Sequence, residues 1–246
     1  MARVGYCTDT GRLRGNNEDE LLVLQKKRVY AVADGVGGHN SGEVASKKAV
    51  TGLEAYINEH PIGANYFSTD NPDAYKDYFR ECLNKINRDI IDYTNLKPEN
   101  SGMATTLAAV IVYLDKLYVV NIGDSRVYKV RDGTIRQITK DHTVVNQMIE
   151  NGDLTMEEAR VHPRKNEITK ALGVEEEILP DYFDRDLLPG DRILLCTDGL
   201  YGELSDYDIC DTVSLEDDLN DICELLIDKA NANGGRDNIT VICVEI

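Results

Sequence analysis

The sequence predicts an α+β domain built in layers, and three observations carry that expectation. Apolar residues recur at helical spacing in two long stretches and again near the end. Between them lie short apolar runs of strand length. In the middle third these runs are joined by connections of about two residues, which permit antiparallel hairpins and exclude parallel crossovers.

The β-like runs begin with Val4–Cys7, Leu21–Leu24 and Val29–Ala33, the last stopping at Asp34-Gly35. A glycine-rich turn, Gly35-Val36-Gly37-Gly38-His39, follows. Ser41 reads as the N-cap of a helix whose face carries Val44, Ala45, the stem of Lys48, Val50, Leu53 and Ile57. Beyond a loop around Pro61–Pro72, a second helix is marked by Tyr75, Tyr78, Phe79, Leu83, Ile86 and Ile90. The period then changes. Thr105–Tyr113, Leu117–Asn121, Arg126–Arg131 and Thr134–Ile138 read as a meander, turning at Asp115-Lys116, Gly123-Asp124 and Asp132-Gly133.

Residues 140–180 are polar and show no core-sized apolar face, so they read as an inserted surface segment. Within it Thr155-Met156-Glu157-Glu158 has the form of a capping box. Pro189-Gly190-Asp191 turns into the apolar strand Arg192–Thr197, which again ends at Asp-Gly, here Asp198-Gly199. A last helix carries Leu215, Leu219, Ile222, Leu226 and Ile227, and the turn Gly234–Asn238 leads into a final strand, Ile239–Ile246.

The 246 residues carry 44 acidic and 27 basic side chains, a formal charge of −17. Nucleic acid and anionic membrane both demand a basic surface, so neither is expected as a partner. Six scattered cysteines, without a C-x-x-C pair, read as free thiols of a reducing compartment. No signal peptide and no run near the ~20 apolar residues of a membrane span is visible, and a cytoplasmic protein is expected.

Four aspartates share one placement. Asp34 and Asp198 end apolar strands, Asp124 sits in the tight turn after Leu117–Ile122, and Asp237 precedes the final strand. A carboxylate at the end of a buried strand carries a desolvation cost unless a cation or hydrogen bonds offset it. Any one of these has an ordinary explanation, since Asp-Gly is a common turn dipeptide. Four that a sandwich can gather at one edge point to a cation-neutralised cluster. Rival motifs fail. There is no complete G-x-G-x-x-G, P-loop, G-x-S-x-G elbow or H-E-x-x-H helix.

Six blocks then occur in a recognisable order: Arg14–Asp19, Val32–His39, Gly102–Thr106, Gly123–Arg126, Cys196–Leu200 and Gly235–Thr240. In this the chain resembles the bacterial type-2C metal-dependent protein phosphatases, from near residue 1 to residue 246. The resemblance implies one catalytic domain over 1–246, with 140–180 as the family's variable flap. It implies a four-layer αββα sandwich, two antiparallel sheets flanked by helix pairs. It also implies hydrolysis of phosphoserine and phosphothreonine in proteins by a hydroxide bridging two metal ions, Mn²⁺ or Mg²⁺. Asp34 would bridge the ions, the Gly35 carbonyl would bind one, and Asp198 and Asp237 would complete the second. In bacterial relatives a third, weaker ion sits between Asp198 and Asp124. Arg14 would hold the substrate phosphate, and Asp19 would orient water from behind the metal ligands.

The resemblance leaves the general acid open. Animal relatives place a histidine directly after the Asp-Gly, where this chain has Val36. The bacterial pattern offers His39 instead, as a catalytic residue that contacts substrate or donates a proton, with support of the glycine turn as the alternative. His142 is read as structural, and His60 and His162 as surface residues. Phosphorylated proteins and a cognate serine/threonine kinase are the expected partners, and a monomer the expected state. A non-enzymatic member that binds phosphoproteins is the alternative, disfavoured because no metal aspartate is missing.

Overall fold

A computed structural model describes residues 3–37, 41–67, 71–97 and 102–246. Its strands are β1 (Arg3–Asp9), β2 (Asp19–Leu24), β3 (Val29–Val36), β4 (Ala104–Thr105), β5 (Leu107–Tyr113), β6 (Lys116–Ile122), β7 (Arg126–Arg131), β8 (Thr134–Gln137), β9 (Asp181–Asp186), β10 (Arg192–Cys196) and β11 (Ile239–Glu245). Its helices are α1 (Ser41–Glu59), α2 (Ala74–Leu96), α3 (Val144–Asn151), α4 (Met156–Val161), α5 (Asp198–Tyr201), α6 (Asp206–Val213) and α7 (Leu219–Asn233).

Successive side chains of a strand face opposite ways, so a strand buried on both faces must be apolar throughout. β3 obeys this rule. Val29, Ala31 and Ala33 pack under α1 and α2, while Tyr30 and Val32 face a second sheet. β11 sends Ile239, Val241 and Cys243 to α7 and Ile242 and Val244 inward. The two sheets, β1-β11-β10-β7-β8 and β2-β3-β5-β6-β9 with β4 on β3, are antiparallel throughout. Three apolar cores separate four layers, giving the αββα sandwich. Five of the six cysteines are buried and all are free thiols. No helix among the described residues is long and apolar enough to cross a membrane.

Several elements differ from the expected ones. The middle strands do not form one meander. β5 pairs with β6 and β7 with β8, but the link at Gly123–Ser125 carries the chain from one sheet to the other. Short links and apolar strands look alike in sequence whether the next strand pairs or crosses. β9 was not expected, because its sequence Asp181–Asp186 is mostly charged; it is an edge strand on β6, where charge is tolerated and blocks further pairing. The last helix begins at Leu219, and Leu215 lies outside it, half-buried. α6 went unread because only eight residues carry its pattern. Ser41 is the first described residue of α1, not a flanking cap. His60 is half-buried and stacks on Tyr56, with centroids 4.3 Å apart. Residues 140–180 hold α3 and the capping-boxed α4, but Leu172 is fully buried and bonds Thr105 through both backbone groups.

Asp191, with no exposed surface, fastens the turn before β10. It takes the fork of Arg131, the Lys129 ammonium at 2.9 Å and the Leu188 N–H at 2.9 Å. Burial alone would raise its pKa, but these donors prevail and hold it below the ordinary value. A depressed carboxylate stabilises the fold above its unfolded pKa, and that contribution fades as pH falls through the folded value. Asp191→Asn is therefore expected to cost about 2–4 kcal/mol at pH 7, as when one partner of a buried pair is removed. Urea unfolding should show that deficit shrinking as pH falls from about 4, the ordinary value of the unfolded chain, toward the lower folded value.

Candidate active site

Strand directions gather the aspartates. β2 opposes β3 with Asp19 across from Asp34, and β3 and β6 run the same way on either side of β5. β10 ends where β11 and β7 begin. The end of β3, the start of β2, the crossing from β6 to β7, the end of β10 and the start of β11 therefore share one edge of the sandwich. Asp34, Asp19, Asp124, Asp198 and Asp237 all lie there.

The backbone around Asp34 is clamped. Its N–H donates to Thr106 Oγ1, and its carbonyl accepts from the Thr106 N–H and the Thr105 hydroxyl, each at 2.9 Å. Gly35 donates its N–H to the Glu18 carbonyl at 3.1 Å. Any Cβ at Gly35 would stand 2.3 Å from the Gly42 carbonyl oxygen and 2.6 Å from that of Glu18, so only glycine fits between β2 and α1. From the other sheet Thr197 donates to Asp19 Oδ2 at 2.8 Å and accepts the Thr240 N–H at 3.0 Å. Asn238 accepts the Glu18 N–H and donates to the Thr10 and Asn16 carbonyls, which fixes the loop carrying Arg14. Arg14 in turn bonds Asp237 Oδ2 through Nη2 at 2.7 Å, with its side chain half exposed.

Gly123 adopts φ of +100°, and a Cβ there would meet Thr106 Cγ2 at 2.5 Å. Its N–H donates to His142 Nδ1 at 3.1 Å, and the His142 N–H returns a bond to the Gly123 carbonyl. His142 is buried, with Nε2 toward Asp181, and it serves this turn. Tyr201 donates to the Asp124 carbonyl at 2.9 Å and is covered by the Arg126 guanidinium, 3.5 Å above its ring. Arg126 is forked onto Asp141.

The carboxylates act on one another. Burial first, then Asp19, Asp198, Asp124 and Asp237, push Asp34 well above its ordinary pKa. Burial raises Asp19 to about 7, with Asp198 and Asp237 adding to the rise and bonds from Thr240 and Thr197 opposing it. Asp124 is pushed up to about 8 by burial, Asp198 and Asp141. Asp198 rises to about 6 through burial and Asp237, moderated by a hydrogen bond from Asp34 and by Arg14 and Arg126. Asp19 Oδ1 and Asp198 Oδ1 are buried with no hydrogen-bond partner among the described residues.

Oxygen-only ligands of this kind suit hard divalent cations. The two orphaned oxygens and the mutual repulsion are what such cations would relieve. No three carboxylate, imidazole or thiol groups among the described residues meet at one point.

The structure thus brings together Arg14, Asp19, Asp34, Gly35, Asp124, Asp198 and Asp237. His39 lies outside the described residues. Sequence reasoning passed over Thr106, Thr197, Asn238, Tyr201 and Arg126. All but Tyr201 lie inside the six ordered blocks, so the signal was present but their bonds were not.

Carboxylates that repel one another beside a guanidinium able to grip an oxyanion make joint chemical sense in a phosphatase, and that is the class which fold and site define. The family described as "Protein phosphatase 2C" matches residues 14–238. A serine/threonine phosphatase, stp, of Listeria welshimeri is 36% identical over 243 residues, spanning 98% of this chain and 94% of that protein. The crystal structure of the Mycobacterium tuberculosis serine/threonine phosphatase PstP/Ppp superimposes with a TM-score of 0.89 at 35% identity, covering 100% of this chain and 98% of that one. A structure of the PstP catalytic domain with two manganese ions gives a TM-score of 0.86 at 34% identity, over 99% and 97% of the two chains. This chain belongs to the protein phosphatase 2C family.

Clustered like charge destabilises an unliganded fold, the usual tension between function and stability. In chelator at pH 8, Asp198→Asn is expected to raise unfolding stability by about 1 kcal/mol, within the range of single stabilising substitutions. Urea titration of the two proteins reads this directly, and a less stable variant would contradict the repulsion.

Proposed function

We propose that this protein removes phosphate from phosphoserine and phosphothreonine in other proteins, using Mn²⁺ or Mg²⁺ at the aspartate edge. The observation that carries the reading is the self-repelling cluster with orphaned Asp19 and Asp198 oxygens, set beside Arg14 in a chain of the 2C family. Its relatives from Listeria and Mycobacterium bear the name serine/threonine phosphatase, and the manganese-bound PstP domain has the same fold.

Asp34, the Gly35 carbonyl, Asp198 and Asp237 would hold two cations, and Asp124 with Asp198 a third, weaker one. Bound divalent ions lower the pKa of water toward neutrality and offset phosphoryl charge. The remaining work falls to the chain. Asp237 occupies one edge of the Arg14 guanidinium and leaves its exposed remainder to grip two phosphoryl oxygens, which a lysine could meet only as a point charge. Asp19, held at Oδ2 by Thr197, keeps Oδ1 to orient the attacking water. The clamps on Asp34 and the Gly123 turn keep the carboxylates in register with no reorganisation during reaction. His39 is the candidate to protonate the leaving hydroxyl of serine or threonine. We further propose a monomer, a cytoplasmic setting and an opposing serine/threonine kinase, in keeping with free buried thiols and an acidic chain.

With Mn²⁺ the protein should hydrolyse a phosphothreonine peptide and stop on chelation. Arg14→Lys should lower kcat/KM by about tenfold or more, as expected when a bidentate grip is lost. Undiminished turnover in chelator, or in Asp198→Asn, would overturn the proposal.

Residues 140–180 flank this edge, since His142 holds the Gly123 turn and Leu172 bonds Thr105. They are proposed as the flap that selects substrate. Exchanging them for the matching segment of a relative should change the ranking of phosphopeptides more than the rate on a small aryl phosphate. The reverse pattern would count against the assignment.

A further inference from the structure

The inner face of the sheet formed by β1, β11 and β10 changes character where it reaches the aspartate edge. Side chains that face the other sheet line up across the three strands in rows, first Val4–Val244–Ile193 and then Tyr6–Ile242–Leu195. The next row, at the edge itself, is Thr8–Thr240–Thr197. Valine matches threonine in branching, and strands favour both, so packing alone does not ask for a hydroxyl here. Thr240 and Thr197 have no exposed surface, and a buried hydroxyl needs a partner.

The direction of each proton shows what the row serves. A hydroxyl has one proton to give, and an ionised carboxylate can only accept. Thr197 Oγ1 accepts the Thr240 N–H at 3.0 Å and gives its proton to Asp19 Oδ2 at 2.8 Å. The Thr240 hydroxyl bonds the same carboxylate, so its oxygen must accept from Thr8, 2.7 Å away. Thr8 Oγ1 accepts in turn from Asn17 Nδ2 at 2.8 Å, and Asn17 Oδ1 accepts the Asp19 N–H at 3.1 Å.

The path therefore closes on itself. It runs from the Asp19 N–H to Asn17, to Thr8, to Thr240 and back to the Asp19 carboxylate. It also joins the two sheets, because Asp19 begins β2 while the threonines belong to the opposite layer. Hydrogen bonds that run head to tail strengthen one another. Two hydroxyl donors stop the carboxylate from turning, and Oδ1 is left buried without a partner among the described residues.

We propose that this ring aims Asp19. Thr8, Asn17 and Thr240 are positioning residues that keep Oδ1 turned toward the attacking water, and they act only through Asp19. The assignment rests on the phosphatase reading above and extends it to the residues that hold the carboxylate.

Thr240→Val removes the hydroxyl and keeps the branching, whereas Thr240→Ser keeps the hydroxyl. With Mn²⁺ and an aryl phosphate, Thr240→Val should lower kcat by about tenfold, the size of one hydrogen bond to a charged group. KM and the calorimetric Mn²⁺ affinity should stay within about twofold of wild type, since uniform binding is untouched. Thr240→Ser should retain most of kcat. Thr8→Val should cost about threefold, because Thr8 is exposed and water can replace part of its bond. Residues in series do not add, so T8V/T240V should lose no more than Thr240→Val alone. In an Asp19→Asn background, Thr240→Val should cost nothing further. A second readout needs no turnover. In chelator, hydrogen exchange at the Asp19 amide should quicken by about fivefold or more in Thr8→Val and stay at the wild-type rate in Thr8→Ser. An active wild type whose Thr240→Val variant keeps full kcat, or loses Mn²⁺ affinity instead, would overturn the ring and leave the phosphatase reading standing. Additive losses, or an unchanged Asp19 amide in Thr8→Val, would do the same. A wild type without Mn²⁺-dependent hydrolysis would sink the phosphatase reading itself, and the aim at water with it.

Discussion

Repulsion among Asp19, Asp34, Asp124, Asp198 and Asp237 is the constraint around which the rest of the molecule is arranged, because an ordinary fold would let such groups spread apart. They are prevented from spreading by bonds made almost wholly to backbone. Thr105 and Thr106 grip both backbone groups of Asp34, Thr197 spans Asp19 and the Thr240 amide, and Tyr201 holds the Asp124 carbonyl. Their carboxyl oxygens are left with few protein partners, so the electrostatic cost falls to bound cations or to protons. That explains why burial heads the causes of every raised aspartate in the cluster.

Holding charge in this way needs rigid supports on two sides. Asp19 and Asp34 come from one sheet, while Asp198 and Asp237 border strands of the other. The inter-sheet core, which includes Tyr30, Val32, Ile193, Leu195, Ile242 and Val244, keeps these two groups in register together with the Thr197–Asp19 and Asn238–Glu18 bonds. Sheets packed face to face stand about 10 Å apart, a gap that side chains and ions at the edge can bridge. Asp124 sits at the one place where the middle strands pass between the sheets, and Gly123 permits the passage by taking a backbone conformation that side chains disfavour.

Much of this was legible beforehand, for reasons that differ by element. α1, α2 and β3 announce themselves because long apolar periods bury one face or both. The site aspartates stood out because polar residues at the ends of apolar strands need a reason. β9 was hidden by Asp181, Asp184, Arg185 and Asp186, since an edge strand is stabilised by backbone pairing that charge does not prevent. The supposed meander failed at Gly123-Asp124 because so short a link constrains distance and leaves the choice of partner to packing. Thr106, Thr197 and Asn238 passed unnoticed, as their importance lies in bonds to residues between about 70 and 220 positions away, which local patterns cannot carry.

The layered α+β class, the apolar strands, the identity of the aspartates and Arg14, and the family they spell out in order can all be read from the unfolded chain. Those are properties of residue type and local spacing, set by side-chain burial and turn chemistry. Folding was needed to show that β6 and β7 belong to different sheets and that five carboxylates share one edge with a guanidinium. These depend on which distant strands pair and which layers stack, and that choice is made by the whole core at once.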